Sequence, residues 1–313
     1  MIHKHYFEAF NCRMMAAVDM EGRPEILDQV PGWFEEWESA LSRFRQHSEL
    51  NAVNSTSGQP VRVSDIFAAV FESALNAYRA SDRLVTPLIL NAILQAGYNR
   101  SFDLLNAGNS LQTFDVIGTA LDLENIEWDA RFHTLHTPDG YQLDFGGVAK
   151  GWAAHQAAIR LSKIAPALVD AAGDIAVSGP GQNDQPWLIG IADPDNPDRN
   201  LGLIQIRKGG VATSGTDRRR WLHNGVLNHH IIDPRSGLPA GTDVLTATVV
   251  APSIMNAEMA SKTILILGSE QGLLWLEKKH PQMAAFIILE SRDCIWNANM
   301  NTYFRGSNGI TKI

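Results

Sequence analysis

The chain has 313 residues, enough for one large domain or two ordinary ones, and at this length it buries roughly 75% of its unfolded surface without staples. Its 45% hydrophobic and 19% charged content excludes a disordered or fibrous protein. Lys and Arg number 26 against 34 Asp and Glu, a formal charge of −8 with no long basic run. That argues against nucleic acid as a partner but leaves small anions open, because backbone donors bind phosphate whatever the net charge.

The first 20 residues read as strands. They carry no apolar export core, and no run of about 18 apolar residues follows anywhere, so neither a signal peptide nor a membrane span is expected and the expected address is the cytoplasm. Cys12 and Cys294 are too few for a disulfide framework or a Cys-type zinc site and read as reduced thiols.

Trp33, Phe34, Trp37, Leu41 and Phe44 recur at three and four, predicting an amphipathic helix after Pro31-Gly32. Ser64 or Asp65 caps a second helix with Ile66, Phe67, Val70, Ala74, Leu75 and Tyr78 on its apolar stripe. Thr86-Pro87 is expected to open a short helix that Gly97 ends. From about Ile126 the pattern turns to strands, with Arg131 to His136 and Tyr141 to Phe145 flanking a Pro138-Asp139-Gly140 hairpin turn. A helix follows Gly146-Gly147 through Ser162. Strands are expected over Ala167 to Ser178, Trp187 to Ala192, Leu201 to Arg207, Asn228 to Ile232 and Val244 to Val250. Helices from about Ile254 to Leu267 and Gln271 to Lys279 precede closing strands Ala284 to Glu290 and Ile295 to Tyr303. Strands do not alternate regularly with helices, so the fold class is α+β, a mixed or largely antiparallel sheet packed with helices. We read one domain over 1–313, with a helical subregion at about 22–100.

Walker, Rossmann, GxSxG and HExxH signatures are absent. Five other stretches carry chemistry. In Asp144-Phe145-Gly146-Gly147-Val148-Ala149-Lys150-Gly151, two glycines turn a strand into a helix with a lysine in its first turn. The lysine opposes the helix dipole unless an anion is near, so the turn reads as a phosphate cradle or as an ordinary turn with a solvated lysine. Asp174, inside an apolar strand, needs a partner or a ligand. Thr213 and Ser214 between Gly210 and Gly215 form a polar turn or a set of donors to phosphate and ribose oxygens. His230, at the start of His230-Ile231-Ile232-Asp233-Pro234, is a structural histidine or a base for a hydroxyl nucleophile. Glu258 and Lys262 are i and i+4 on one helix face and read as a surface ion pair or, because the helix is largely apolar, as a buried glutamate that needs a cation, Lys262 or a divalent metal.

Taken in order, FRQHSELNAVN, LDFGGVAKG, LVDAAGDIAVSG, VATSG, HHIIDPRSGLPAG and APSIMNAEMASKTILILG, spanning Phe44 to Gly268, resemble the FAD:protein FMN transferase family, also called ApbE. The resemblance implies an enzyme that splits FAD between its phosphates, moves FMN to a threonine hydroxyl of a target flavoprotein and releases AMP, using Mg2+. It assigns His230 as the base and Lys150 with Gly146-Gly147 to the pyrophosphate. It places Asp174, Thr213, Ser214 and Thr86 in the FAD site and gives the Ala149 carbonyl and Glu258 to the metal. The alternatives are an FAD pyrophosphatase giving FMN and AMP, and a catalytically silent FAD-binding protein.

Three departures stand out. The family's metal helix carries Asp and, four residues on, Thr; here Glu258 and Lys262 stand there, and the Lys262 ammonium is expected to replace the metal wholly or in part. An Asp-Pro-Thr motif survives only as Thr86 in Leu84-Val85-Thr86. A Met-Gly-Thr motif is not recognisable near Phe10-Asn11-Cys12.

Overall fold

The computed structural model describes residues 1–56, 58–100, 102, 121–223 and 225–306. The chain divides into two compact units, one built from Met1–Phe34, Lys150–Asp217 and Thr242–Ile313, the other from Glu35–Ala149 and Arg218–Gly241.

The first unit holds an eight-stranded sheet whose spatial order follows the chain: Ile2–Ala9, Cys12–Asp19, Ala167–Ala171, Asp174–Val177, Gly209–Gly215, Val244–Ala251, Ala284–Leu289 and Cys294–Trp296. Every neighbouring pair is antiparallel. The strand Val244–Ala251 is buried along its whole length, so both faces of the sheet are covered at its centre. On one face Leu245 and Val250 join Ile189, Ile191, Ile204 and Ile206 of a second, three-stranded sheet. Against the other face lies the helix Ile254–Leu267, capped by Ser253, whose hydroxyl accepts from the Asn256 N–H at 3.2 Å. Gly210 permits that approach: a Cβ there would lie 2.2 Å from the Ile254 Cα.

The second unit contains the helices Glu49–Ser55, Asp65–Ala80 and Leu90–Gln95 and a small antiparallel sheet in the order Pro60–Arg62, Thr134–His136, Glu127–Asp129. Phe67 and Phe145 meet edge to face at 5.1 Å in its core. A second apolar cluster gathers Ile93, Ala96, Tyr98, Trp221 and Ile232, with the Trp221 indole N–H donating to the Ala96 carbonyl at 2.6 Å. Among the described residues, no helix is long and apolar enough to cross a membrane.

The α+β, antiparallel expectation holds, and the helix Ile254–Leu267 has the predicted bounds. Several segments differ. Phe44 lies beyond the end of its helix, Val30–Leu41, and is exposed, its ring under the Arg43 guanidinium at 4.1 Å. The short helix begins at Leu90, because the Thr86 hydroxyl accepts from the Leu88 N–H and holds a turn there. Tyr141 to Phe145 is no strand. The Asn54 amide binds both the N–H and the carbonyl of Leu143, each at 2.8 Å, and the Asp144 N–H goes to the Pro87 carbonyl, so the strand-like donors and acceptors are already used.

The Ala167 to Ser178 strand is two strands folded on an Ala172-Gly173 turn, both at positive φ. Asp174 therefore opens a strand instead of standing inside one. The Gly209 to Gly215 stretch is a central strand and no polar turn. Asn228 to Ile232 is likewise broken, and His230 follows the strand Val226–His229 at a bend. After Cys294–Trp296 the last predicted strand ends in a short helix, Met300–Tyr303.

Candidate functional site

In the first unit, the helix Ala149–Ser162 places Lys150 in its first turn, and the strand Asp174–Val177 places Asp174 at its start. The Lys150 ammonium bonds the Asp174 carboxylate, which is 3% exposed. The Lys262 ammonium reaches Glu258 Oε1 at 2.9 Å across one helical turn, and that carboxylate is 2% exposed. The surface ion pair that i,i+4 spacing ordinarily gives is thus a buried one here.

The two pairs act on each other. Burial disfavours the Lys150 charge, but Asp174 and Glu258 outweigh it and hold the lysine above its ordinary value. Burial, with Asp174 adding to it, pushes the Glu258 carboxyl up, while Lys262 and Lys150 oppose the shift. Gly151 makes room for this carboxylate, since a Cβ there would lie 2.3 Å from Glu258 Oε2. Beside the cluster, Asp170 accepts from the Gly173 N–H at 2.8 Å and is itself pushed up by burial.

Thr213 and Ser214 are neighbours in a strand and so point to opposite faces. Ser214 is buried, its hydroxyl 2.7 Å from that of Ser261. Ser261 donates to the Glu258 carbonyl, which makes Ser214 the donor between the two serines. Thr213 is exposed, 2.9 Å from the Thr248 hydroxyl, and its N–H bonds the Gly173 carbonyl. Of the two, Thr213 is the one exposed to solvent.

In the second unit, the Gly146-Gly147 turn is built on Asp144. Its Oδ1 accepts from the Gly146 N–H at 2.6 Å and its Oδ2 pairs with Arg43 Nε at 2.8 Å, both side chains buried. Arg43 also donates to the Tyr98 carbonyl and lies over the Tyr98 ring at 4.6 Å. Sequence reasoning missed Arg43. The signal available was Asp144, an acid at the end of an apolar run that requires a cation. Thr86 is buried with its hydroxyl already accepting from Leu88. His230 is half-buried with its Nδ1 enclosed, next to His229, whose Nε2 lies 3.1 Å from the Ala240 carbonyl. The Ala149 carbonyl stands in the first turn of its helix, where i to i+4 bonding takes it up.

These residues fit a divalent metal poorly. Mg2+ takes hard oxygens in near-ideal octahedral geometry and keeps several waters. Of the Glu258 oxygens, one already carries an ammonium and the other is backed by Gly151. A protonated lysine offers no lone pair and repels a dication. Among the described residues, no group of three or more His, Cys, Asp or Glu side chains is arranged to hold a metal.

The family model for ApbE matches residues 10–287. This chain belongs to the ApbE family. An FAD:protein FMN transferase of Treponema pallidum is 30% identical over 284 residues, covering 85% of this chain and 78% of that protein. One from Vibrio cholerae is 27% identical, covering 91% and 85%. Among solved structures, an ApbE protein of Thermotoga maritima superposes with a TM-score of 0.84 at 21% identity, over 97% of this chain and all of that one. The Vibrio cholerae flavin transferase ApbE gives 0.79 at 20% identity. The structural likeness supports the ApbE fold, and the sequence relatives carry the family's chemistry into the question of function.

Proposed function

We propose that this chain is an FAD:protein FMN transferase that moves FMN from FAD to a threonine hydroxyl of a target flavoprotein. The observation that carries the reading is Lys150, a half-buried ammonium in the first turn of a helix, steadied by the buried Asp174. A helix start offers free N–H groups, and Lys150 brings an ammonium, held by Asp174, to where a pyrophosphate would be bound.

In the reaction the threonine oxygen bonds to the FMN-side phosphorus. The bond from that phosphorus to the oxygen bridging to AMP breaks, and AMP leaves with the bridging oxygen and its electron pair. The hydroxyl proton passes to His230, the candidate base. Charge developing on the phosphate oxygens is offset by the Lys150 ammonium. Thr213 is the hydroxyl available to the flavin nucleotide.

The reading is tested by following AMP release from FAD with and without a threonine-bearing target protein, together with the target's mass. AMP release that depends on the target, with the target gaining the mass of FMN, supports it. AMP release without the target identifies a pyrophosphatase, and bound FAD with no AMP a silent binder. His230→Ala is expected to lose AMP release by at least about 100-fold while still binding FAD.

A further inference from the structure

Four charges alternate in the first unit: Lys150 against Asp174, and Lys262 against Glu258. Each acid lies almost wholly out of solvent, and each ammonium is no more than 17% exposed. The Glu258 carboxylate is within electrostatic range of both Asp174 and Lys150. The set is therefore one coupled unit and not two separate pairs, with Asp170 beside it. A dication added there would meet the repulsion of two ammonium groups already seated on the carboxylates, in a place water scarcely reaches, which is costly.

Resting on the transferase reading above, we infer that the Lys262 ammonium takes the place of a divalent cation at Glu258, so that this chain handles a phosphate substrate with lysine charge alone. Lys262 comes from the same helix face as Glu258, one turn away, and so arrives with the fold instead of from solution. Its role is positional. It fixes the buried Glu258, next to which Lys150 is held by Asp174, and keeps the net charge presented to the pyrophosphate constant whatever the metal concentration. Lys262 also blocks the one Glu258 oxygen that Gly151 does not back.

The test has two arms. In the first, Mn2+ alone is titrated into the full-length protein and free aqueous Mn2+ is followed by its EPR signal. The wild type is expected to show no saturable binding in the millimolar range. Lys262→Thr, which removes the ammonium and supplies a hydroxyl oxygen on the same face, is expected to bind on the order of tenfold more tightly or better. Lys262→Arg, which keeps the charge, is expected to resemble the wild type. A saturable wild-type site of sub-millimolar affinity that Glu258→Gln abolishes overturns the inference, and that result needs no variant at Lys262 to fold.

In the second arm, AMP release by the wild type from FAD with the threonine-bearing target protein present is compared in EDTA and in Mg2+. Equal rates support the inference, and a rate abolished by EDTA and restored by Mg2+ overturns it. If AMP fails to appear under any condition, the transferase reading fails, while the Mn2+ arm still decides the role of Lys262.

Discussion

Replacing Gly210 by alanine should be a severely damaging single-methyl change in the sheet. In an ordinary strand, Gly to Ala stabilises by roughly 0.5–1 kcal/mol, because glycine gives up more backbone freedom on folding. Here the added Cβ would lie 2.2 Å from the Ile254 Cα, 2.3 Å from its N and 2.7 Å from the Ser253 carbonyl carbon. Carbon atoms rest at about 3.5–4.0 Å, so the first turn of the helix Ile254–Leu267 must retreat by more than about 1 Å. All three atoms are backbone, and no rotamer relieves the contact. Overpacking of this kind costs about 3 kcal/mol or more.

The displacement reaches the candidate site. Ile254 and Glu258 are i and i+4 on one helix face, so moving the first lifts the second from Gly151. Urea unfolding followed by tryptophan fluorescence measures the loss. Gly179→Ala, where no atom lies within 4 Å of the new methyl, is the control and should change stability by no more than about 0.5 kcal/mol. A Gly210→Ala protein as stable as the control would refute the packing account.

Three further outcomes follow from named contacts. Arg43→Met strands the buried Asp144 and should cost about 3–5 kcal/mol in urea unfolding, part of which Asp144→Asn in the same chain restores. Asp243 binds the Ser269 N–H and hydroxyl at the start of the helix Ser269–Lys279; burial tends to raise its pKa, but these bonds outweigh it and hold the group below its ordinary 3.8. A depressed carboxyl stabilises above its unfolded value and loses that contribution as pH falls through the folded one. Asp243→Asn should therefore be less stable than wild type at pH 7, by under about 1 kcal/mol because Asp243 is exposed, with the gap closing toward pH 3 in matched urea melts. Ala172, at φ 59° in its turn, should gain up to about 1 kcal/mol on replacement by glycine, seen as a higher thermal midpoint.

Much of this was legible in the residues. The buried helix from Ile254, the capped helix from Ser64 and the antiparallel class all follow from apolar spacing and capping chemistry. What was hidden are interactions distant in sequence. Tyr141 to Phe145 has a strand's alternation, yet a single asparagine amide, Asn54, takes its pairing groups, and nothing local announces that. The Gly209 to Gly215 stretch has a turn's composition because helix Ile254–Leu267 leaves no room for a side chain at Gly210, a demand set by a segment some forty residues on. At the site, Lys150, Asp174, Glu258 and Lys262 each signalled a need for a partner, and spacing alone identified only the Glu258–Lys262 pair. That Lys150 answers Asp174 depends on a turn at Ala172-Gly173 that reads in sequence as an uninterrupted strand.

The large sheet keeps chain order, but its neighbours are not equally near along the chain. The strand Ala284–Leu289 pairs with Cys294–Trp296 across a short turn, whereas Met14 pairs with Ala171 across an insertion of roughly 150 residues. Loop closure grows only with the logarithm of length, so that detour adds only about 2–3 kcal/mol over a ten-residue loop. The cost falls on time more than on stability. Pairings at the C-terminal edge can form early, while the N-terminal hairpin Ile2–Ala9 with Cys12–Asp19 has to wait for its place beside Ala167–Ala171. During synthesis that hairpin leaves the ribosome well before its neighbour, which follows only after roughly 150 further residues. Until then its inner edge is unpaired, open to the pairing errors that exposed strand edges invite.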